Sequence, residues 1–110
     1  DHFLPFSKHN DDSLDNLVAA CRKCNGSKSD SYPSLPHVSK WMERFVKGSQ
    51  TDTKLDTIAA SIPHFRDSLS TVSKGRAVYL NKPEGTMLWH YVNESTALNL
   101  TGARAVLLNH

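Results

Sequence analysis

Polar residues in the first thirty positions constrain this chain more than any other feature. Asp1 and His2 stand side by side, Asn16 follows fourteen positions after His2, and Asn25 lies nine positions beyond Asn16. Pro5 excludes a helix directly after the histidine, because proline has no backbone N–H and a fixed φ angle. We therefore expect a loop and then a strand in this part of the chain.

A short strand and a short helix are predicted to complete the segment. Residues 17–20 are apolar (Leu-Val-Ala-Ala) and predict a buried strand. Residues 21–28 predict a short helix, which Gly26 weakens by about 1 kcal/mol relative to alanine. Two prolines and two serines within residues 31–36 indicate a hinge that leads out of the segment.

An acid beside a histidine and two spaced asparagines are the parts of a one-metal phosphodiesterase. With this spacing, the segment resembles the HNH endonuclease family, the ββα-metal nucleases, and is most similar to bacterial stand-alone members that carry a helical tail. The resemblance is carried by the runs Asp1-His2-Phe3-Leu4-Pro5-Phe6-Ser7-Lys8 and Cys24-Asn25-Gly26-Ser27-Lys28-Ser29-Asp30.

The resemblance implies metal-dependent cleavage of DNA phosphodiester bonds. His2 would be the general base, because the pKa of histidine, about 6.5, lies near neutrality. Asp1 and Asn25 would hold one divalent metal ion, and their hard oxygen atoms suit Mg²⁺ or Mn²⁺. Asn16 would bond backbone across the loop and orient His2 for catalysis. Lys28 would contact a phosphate.

Each role has a structural alternative. His2 can close a strand end, Asn25 can cap a helix, and Lys28 can be a solvated helix lysine. The corresponding alternatives for function are a non-catalytic zinc-finger-like nucleic-acid-binding module, an RNA-directed nuclease, and an interaction protein in which the finger is vestigial. Asp1 joined with His2, Asn16 and Asn25 favours the nuclease.

Cys21 and Cys24 form half of a zinc knuckle, whereas a structural zinc site needs four ligands. Three interpretations stay open: structural Zn²⁺ held together with upstream cysteines of a full-length protein, small core residues, or a redox dithiol. Within these residues we expect no complete zinc site unless His9 or His37 contributes. Two cysteines are too few for a disulfide scaffold, which favours a cytoplasmic location.

The predicted fold class is α+β, with an HNH ββα-metal motif at residues 1–32 and a mostly helical accessory region at 33–110 packed on it. The motif is N-terminally incomplete, because a strand should precede Asp1, and we expect the native protein to extend upstream.

Three helices, a strand and a last short helix are predicted in the accessory region. Asp52 or Thr53 would cap the second helix, and Pro63 would end it. The strand covers residues 87–92, and Thr101 would cap the last helix. Apolar residues at helical spacing give each of the three helices one apolar face, on which Trp41 and Phe45 are expected to be core residues rather than base-stacking platforms. The three sets are Val38, Trp41, Met42 and Phe45, with a stop at Gly48; Leu55, Ile58, Ala59 and Ile62; and Phe65, Leu69, Val72, Ala77 and Leu80.

Charge and hydropathy limit the possible partners. The net charge is only +2, from 13 basic and 11 acidic residues, so charge alone does not indicate nucleic acid. No apolar run reaches the roughly 18–20 residues that span a membrane. We expect double-stranded DNA as the partner, by resemblance, and the oligomeric state stays open. Four cations lie near the motif where a phosphate backbone would pass: Lys8, Arg22, Lys23 and Lys28.

Overall fold

The computed structural model describes residues 2–19, 22–62 and 65–108, and in these ranges the chain forms six α-helices and one two-stranded antiparallel sheet. The predicted α+β class is confirmed at this level. Two short 3₁₀ turns lie at Leu14–Asn16 and Glu43–Phe45. The other elements are α1 (Phe6–His9), α2 (Arg22–Lys28), α3 (Leu35–Met42), α4 (Gln50–Ala59), α5 (Ser68–Leu80), β1 (Met87–Tyr91), β2 (Glu94–Ala97) and α6 (Leu100–Leu108).

No helix in the described part of the chain is long and apolar enough to cross a membrane.

Helices α3 and α5 both pack on α6, and the three helices form the main hydrophobic core. The first residues of the chain join this core, because the Phe3 ring stacks on Trp41 with 4.2 Å between centroids. Gly75 lets α5 approach α3, since a Cβ atom there would lie 2.9 Å from the Trp41 ring. The predicted core position of Trp41 is confirmed. The N-terminal segment and the helical region therefore share one core, which includes Phe3, Leu4, Val38, Trp41, Met42, Val72, Tyr79, Leu88, Leu98, Ala103 and Leu107.

The apolar faces predicted for the second and third helices are partly wrong. Ile58 and Ile62 are each 42% exposed, and no residue of α4 is buried. Leu69 is 83% exposed, and α5 turns Thr71, Val72, Gly75 and Tyr79 to the interior instead. A helix face can therefore be buried through small and polar residues, which hydrophobic periodicity does not detect.

The predicted helix caps at Asp52 or Thr53 and at Thr101 are wrong. The Ser49 hydroxyl accepts a hydrogen bond from the Asp52 N–H at 3.1 Å, and the Asp52 carboxylate accepts one from the Gly48 N–H. The N-cap is therefore Ser49, about one turn earlier than predicted, and the Asp52 carboxylate reaches back to the residue before it in a variant of the capping box. At α6, the Asn99 side chain accepts from the Gly102 N–H at 2.8 Å. The predicted stop at Pro63 lies outside the described residues.

The predicted strand at 87–92 is confirmed as β1, but its partner β2 was not predicted. The two strands pair antiparallel, with Met87 opposite Ala97 and an irregularity between Trp89 and Tyr91. Residues 94–97 are polar or small and all exposed, so they lack the alternation that indicates a strand.

The segment predicted as a hinge is a fixed connection. The Ser34 N–H donates to the Trp89 carbonyl at 2.7 Å, and the Trp89 N–H donates to the Tyr32 carbonyl at 2.9 Å. Pro33 thus forms a parallel bridge with β1. The chain leaving the motif is held against the hairpin, which places the motif beside the rest of the fold.

Candidate active site

The motif segment contains the predicted helix but not the predicted strand. Helix α2 spans Arg22–Lys28, as predicted. Leu17 forms only an isolated antiparallel bridge with His2, and Ala19 is exposed. The strand predicted at residues 17–20 is therefore wrong in its described part. Among the described residues no strand pair precedes α2, so the complete ββα finger stays a prediction.

Asn16 fixes the loop that follows His2, here called the braced loop and comprising residues 11–16. Its side chain is fully buried. The amide oxygen accepts from the Leu4 N–H at 2.7 Å, and the amide nitrogen donates to the carbonyls of Leu4 and Asp11. The Asn16 carbonyl also accepts from the Phe3 N–H. Because these bonds hold the two residues after His2, Asn16 determines where the His2 backbone lies.

The His2 imidazole contacts the Asp12 carboxylate. The distance between His2 Nε2 and Asp12 Oδ1 is 2.8 Å, and the two side chains are 27% and 56% exposed. The ring also stacks on Phe6, with 4.9 Å between centroids. A carboxylate on one ring nitrogen fixes the tautomer and orientation of the ring and leaves the other nitrogen to accept a proton. The arrangement can therefore support general-base chemistry at a position that solvent reaches.

Lys28 connects helix α2 to the His2 segment. Its ammonium group donates to the His2 carbonyl at 2.9 Å, and the residue is only 4% exposed. Burial lowers the pKa of Lys28 to about 8. The predicted phosphate contact does not agree with this geometry, because the ammonium group faces the protein. Lys28 instead ties α2 to His2.

The predicted metal ligands are described only in part. Asp1 lies outside the described residues, and Asn25 is exposed on α2, one helical turn before Lys28 and so on the same face. Lys28, on this face, contacts the His2 carbonyl, and His2 directly follows Asp1 in the sequence. A carboxylate and an amide oxygen from these positions fit a hard cation such as Mg²⁺. Within the described ranges no three His, Cys, Asp or Glu residues cluster as metal ligands.

The cysteine pair is also described only in part. Cys21 lies outside the described residues, whereas Cys24 is half-buried and lines a groove of about 530 Å³ between α2, α3 and β1. Lys40 and Arg44 supply cations to the same groove. His37 lines this groove as well, where it stacks on Trp89, and His9 contacts Tyr32. A structural zinc site therefore stays a prediction.

A buried ion pair holds the braced loop against the helical region. Asp15 is fully buried, and its Oδ1 accepts from Arg66 Nη2 at 2.6 Å and from the Ser68 hydroxyl at 2.9 Å. Its Oδ2 accepts from the Asp67 N–H. Arg66 also pairs with Asp52 of α4. One guanidinium group therefore links the loop to α4 and to the start of α5.

Two side chains from α3 and the following turn bind the carbonyls of the same loop. The Trp41 indole N–H donates to the Asp15 carbonyl at 2.9 Å. Arg44 donates to the carbonyls of Asp15 and Leu17 at 3.1 and 2.8 Å. Burial lowers the pKa of Arg44 to about 10. These bonds replace the strand ladder that the loop lacks.

Asp11 begins the braced loop as a buried acid. Its carboxylate accepts from the hydroxyls of Ser13 and Thr71, both at 2.7 Å, and lies 3.3 Å from Lys74 Nζ. Burial acts to raise the pKa of Asp11, but the hydrogen bonds from Thr71 and Ser13 hold it below its usual value. Since Asp15 is bound by Ser68, the loop is anchored to α5 at both of its ends.

Sequence reasoning missed Asp12, Asp15 and Arg66 as residues that position the site. Asp12 stands in a turn-like run of acids, which predicts only a turn. Asp15 and Arg66 are 51 positions apart, and no local pattern pairs them. No local signal marked Asp15, because its burial, and therefore its need for a charged partner, becomes visible only in the fold.

Comparison with known proteins supports the resemblance for this segment. Residues 1–34 match the family model described as HNH endonuclease. No curated protein and no solved structure matches the chain significantly. The predicted resemblance to the HNH endonuclease family is confirmed for residues 1–34, the segment that contains His2, Asn16 and Asn25.

Proposed function

We propose that the chain is a metal-dependent HNH endonuclease that hydrolyses DNA phosphodiester bonds. One observation carries the proposal: within the segment that matches the HNH family, the His2 imidazole lies 2.8 Å from the Asp12 carboxylate. Asp12 belongs to the braced loop, which Asn16 fixes. A nuclease of this kind needs a base that is held at one angle and reached by water.

His2 removes the proton from the attacking water. The contact with Asp12 assigns the ring proton to Nε2, which donates to the carboxylate. The lone pair on Nδ1 then accepts the proton of the water. The Asp12 carboxylate then stabilises the imidazolium ion that forms. Asn16 acts through the backbone of Phe3 and Leu4, and it is a positioning residue rather than a group that touches the substrate.

Asp1 and Asn25 would hold the divalent ion, Mg²⁺ or Mn²⁺. When bound, the ion offsets the charge on the scissile phosphate and on the leaving oxygen. Lys28 would help to keep Asn25 near Asp1, because its contact with the His2 carbonyl fixes the distance between α2 and the His2 segment.

A nicking assay on supercoiled plasmid, with a titration of Mg²⁺, Mn²⁺ and Zn²⁺, tests the proposal. We expect relaxed circles with Mg²⁺ or Mn²⁺ and none with EDTA. Asn25→Ala should raise the metal concentration needed for half-maximal nicking, whereas Asn81→Ala, at an exposed asparagine of the C-cap of α5, should not.

Two outcomes would contradict the proposal. Tight DNA binding without nicking at any metal concentration would identify a non-catalytic binding module. Cleavage of an RNA panel with plasmid DNA left intact would identify an RNA-directed nuclease.

A further inference from the structure

Two lysines gather around Tyr32, outside the proposed catalytic residues. Lys8 Nζ of α1 lies 4.8 Å from the centroid of the Tyr32 ring, and Lys82 Nζ, from the turn after α5, lies 4.2 Å from it. The two ammonium groups are therefore at most about 9 Å apart, where like charges repel each other unless an anion lies nearby.

His9 and Lys74 extend this cluster. The His9 imidazole lies 2.6 Å from the Tyr32 hydroxyl. Burial, followed by the charges of Lys74 and Lys8, lowers the pKa of His9, with Lys82 adding to the effect and Asp11 opposing it. Besides burial, positive charge from three separate parts of the chain therefore lowers the pKa of His9.

Two acids lie near the cluster without cancelling it. The Asp11 carboxylate is used by Lys74, Thr71 and Ser13. Lys8 donates to the backbone carbonyl of Asp30 at 3.0 Å, not to its carboxylate. None of the described carboxylates forms an ion pair with Lys8 or Lys82.

We propose that Lys8 and Lys82, whose Nζ atoms lie 4.8 and 4.2 Å from the Tyr32 ring centroid, bind a backbone phosphate of the nucleic acid that the site cleaves. The cluster is continuous with the candidate active site, because Phe6 of the same helix as Lys8 stacks on His2 at 4.9 Å. A nucleic-acid strand that is bound at His2 and runs along α1 would reach Tyr32. Lysine binds a phosphate as a mobile point charge, without fixed geometry, and so without sequence preference. The inference rests on the proposed nuclease function and names where its substrate is held.

Binding is measured by fluorescence anisotropy with a labelled duplex of about 16 base pairs in EDTA, so that no cleavage takes place. We expect Lys8→Gln and Lys82→Gln each to weaken binding by roughly three- to tenfold. The double variant should also reduce the slope of log K against log salt by about 1, as expected for the loss of one phosphate contact. Lys54→Gln, at an exposed lysine of α4, is the matched control and should bind as the parent does. A double variant that binds like Lys54→Gln would overturn the inference.

The His9 ring gives a second measurement that does not depend on affinity. A phosphate bound by Lys8 and Lys82 should raise the pKa of His9. This pKa is followed by NMR with the duplex in EDTA, and the His9 signal is assigned through His9→Gln. The shift should vanish in the double lysine variant. An unchanged His9 pKa at saturating duplex would contradict the inference.

The two proposals can fail separately in these experiments. If the parent protein nicks plasmid but the two lysine substitutions do not change DNA affinity, the nuclease proposal stands and the phosphate-site proposal is wrong. If the protein never nicks DNA but shows the lysine-dependent affinity and the shift in the His9 pKa, the phosphate site stands and the nuclease proposal is wrong.

Discussion

The braced loop and the bundle of α3, α5 and α6 are both buried, but by opposite means. In the loop the buried side chains are mostly polar, with Asp15 and Asn16 fully enclosed. In the bundle they are mainly apolar, as at Val38 and Leu107. Hydrogen bonds and ion pairs are directional, whereas apolar contacts only require that space be filled. The comparison indicates that the bundle supplies stability and that the loop uses directional bonds to fix His2.

The largest effect is expected from removing the guanidinium group that pairs with the loop. Arg66→Ala leaves the Asp15 carboxylate buried without its partner and should lower the free energy of unfolding by about 3–5 kcal/mol. Urea denaturation measures it, with Arg104→Ala, at an exposed arginine of α6, as the control. A loss below about 1 kcal/mol, the range of an exposed pair, would show that the ion pair does not hold the loop.

Removing a bundle side chain should reduce stability without affecting the site. Leu107→Ala should cost about 2–4 kcal/mol, because the residue is fully buried in the core. Leu108→Ala, at a position that is 53% exposed, is the control and should have a much smaller effect. At a temperature where Leu107→Ala stays folded, its nicking rate should equal that of the parent. A large loss of rate in the folded variant would break the division between the two regions.

The Asn16 side chain should affect both properties. Asn16→Ala leaves the Leu4 N–H and two carbonyls without partners and should cost about 2–3 kcal/mol. Unlike Leu107→Ala, it should also slow nicking by the folded protein, because His2 loses its fixed position. Equal rates for the folded forms of Asn16→Ala and the parent would contradict this role.

The smallest effect is a dependence of stability on pH. The pKa of Lys28 is about 8 in the folded protein and lies near 10.5 in the unfolded chain. Between these values the unfolded chain binds more protons, so the free energy of unfolding should rise with pH. We expect the parent to gain about 1–2 kcal/mol over Lys28→Gln between about pH 8 and 10. Lys23→Gln, on the exposed side of α2, should follow the parent, and identical slopes for Lys28→Gln and the parent would contradict the assignment.

The elements that were predictable from the sequence are those with local patterns. Helices α2 and α3 and strand β1 follow from periodicity and composition, and the HNH spacing pointed to the segment that the family model matches, residues 1–34. The roles of His2, Asn16 and Asn25 stay predictions. The division of the chain at residue 32 stays a prediction.

What the sequence could not provide depends on distant pairs. Strand β2 is set by its pairing with β1 rather than by its own residues. The described part of the strand predicted at 17–20 is not a strand. Instead Trp41 and Arg66 bind Asp15, and Arg44 binds the Leu17 carbonyl, so these side chains supply bonds that a neighbouring strand would make. The Asp12 contact with His2 likewise requires the folded loop.

The most direct test of the central claim, that a fixed His2 acts as the base, is the single-turnover cleavage rate of His2→Ala with Mg²⁺ and saturating protein. The account predicts a rate roughly 10²–10⁴-fold below that of the parent, with DNA affinity unchanged. A His2→Ala variant that cleaves at the parental rate would show that the base lies elsewhere.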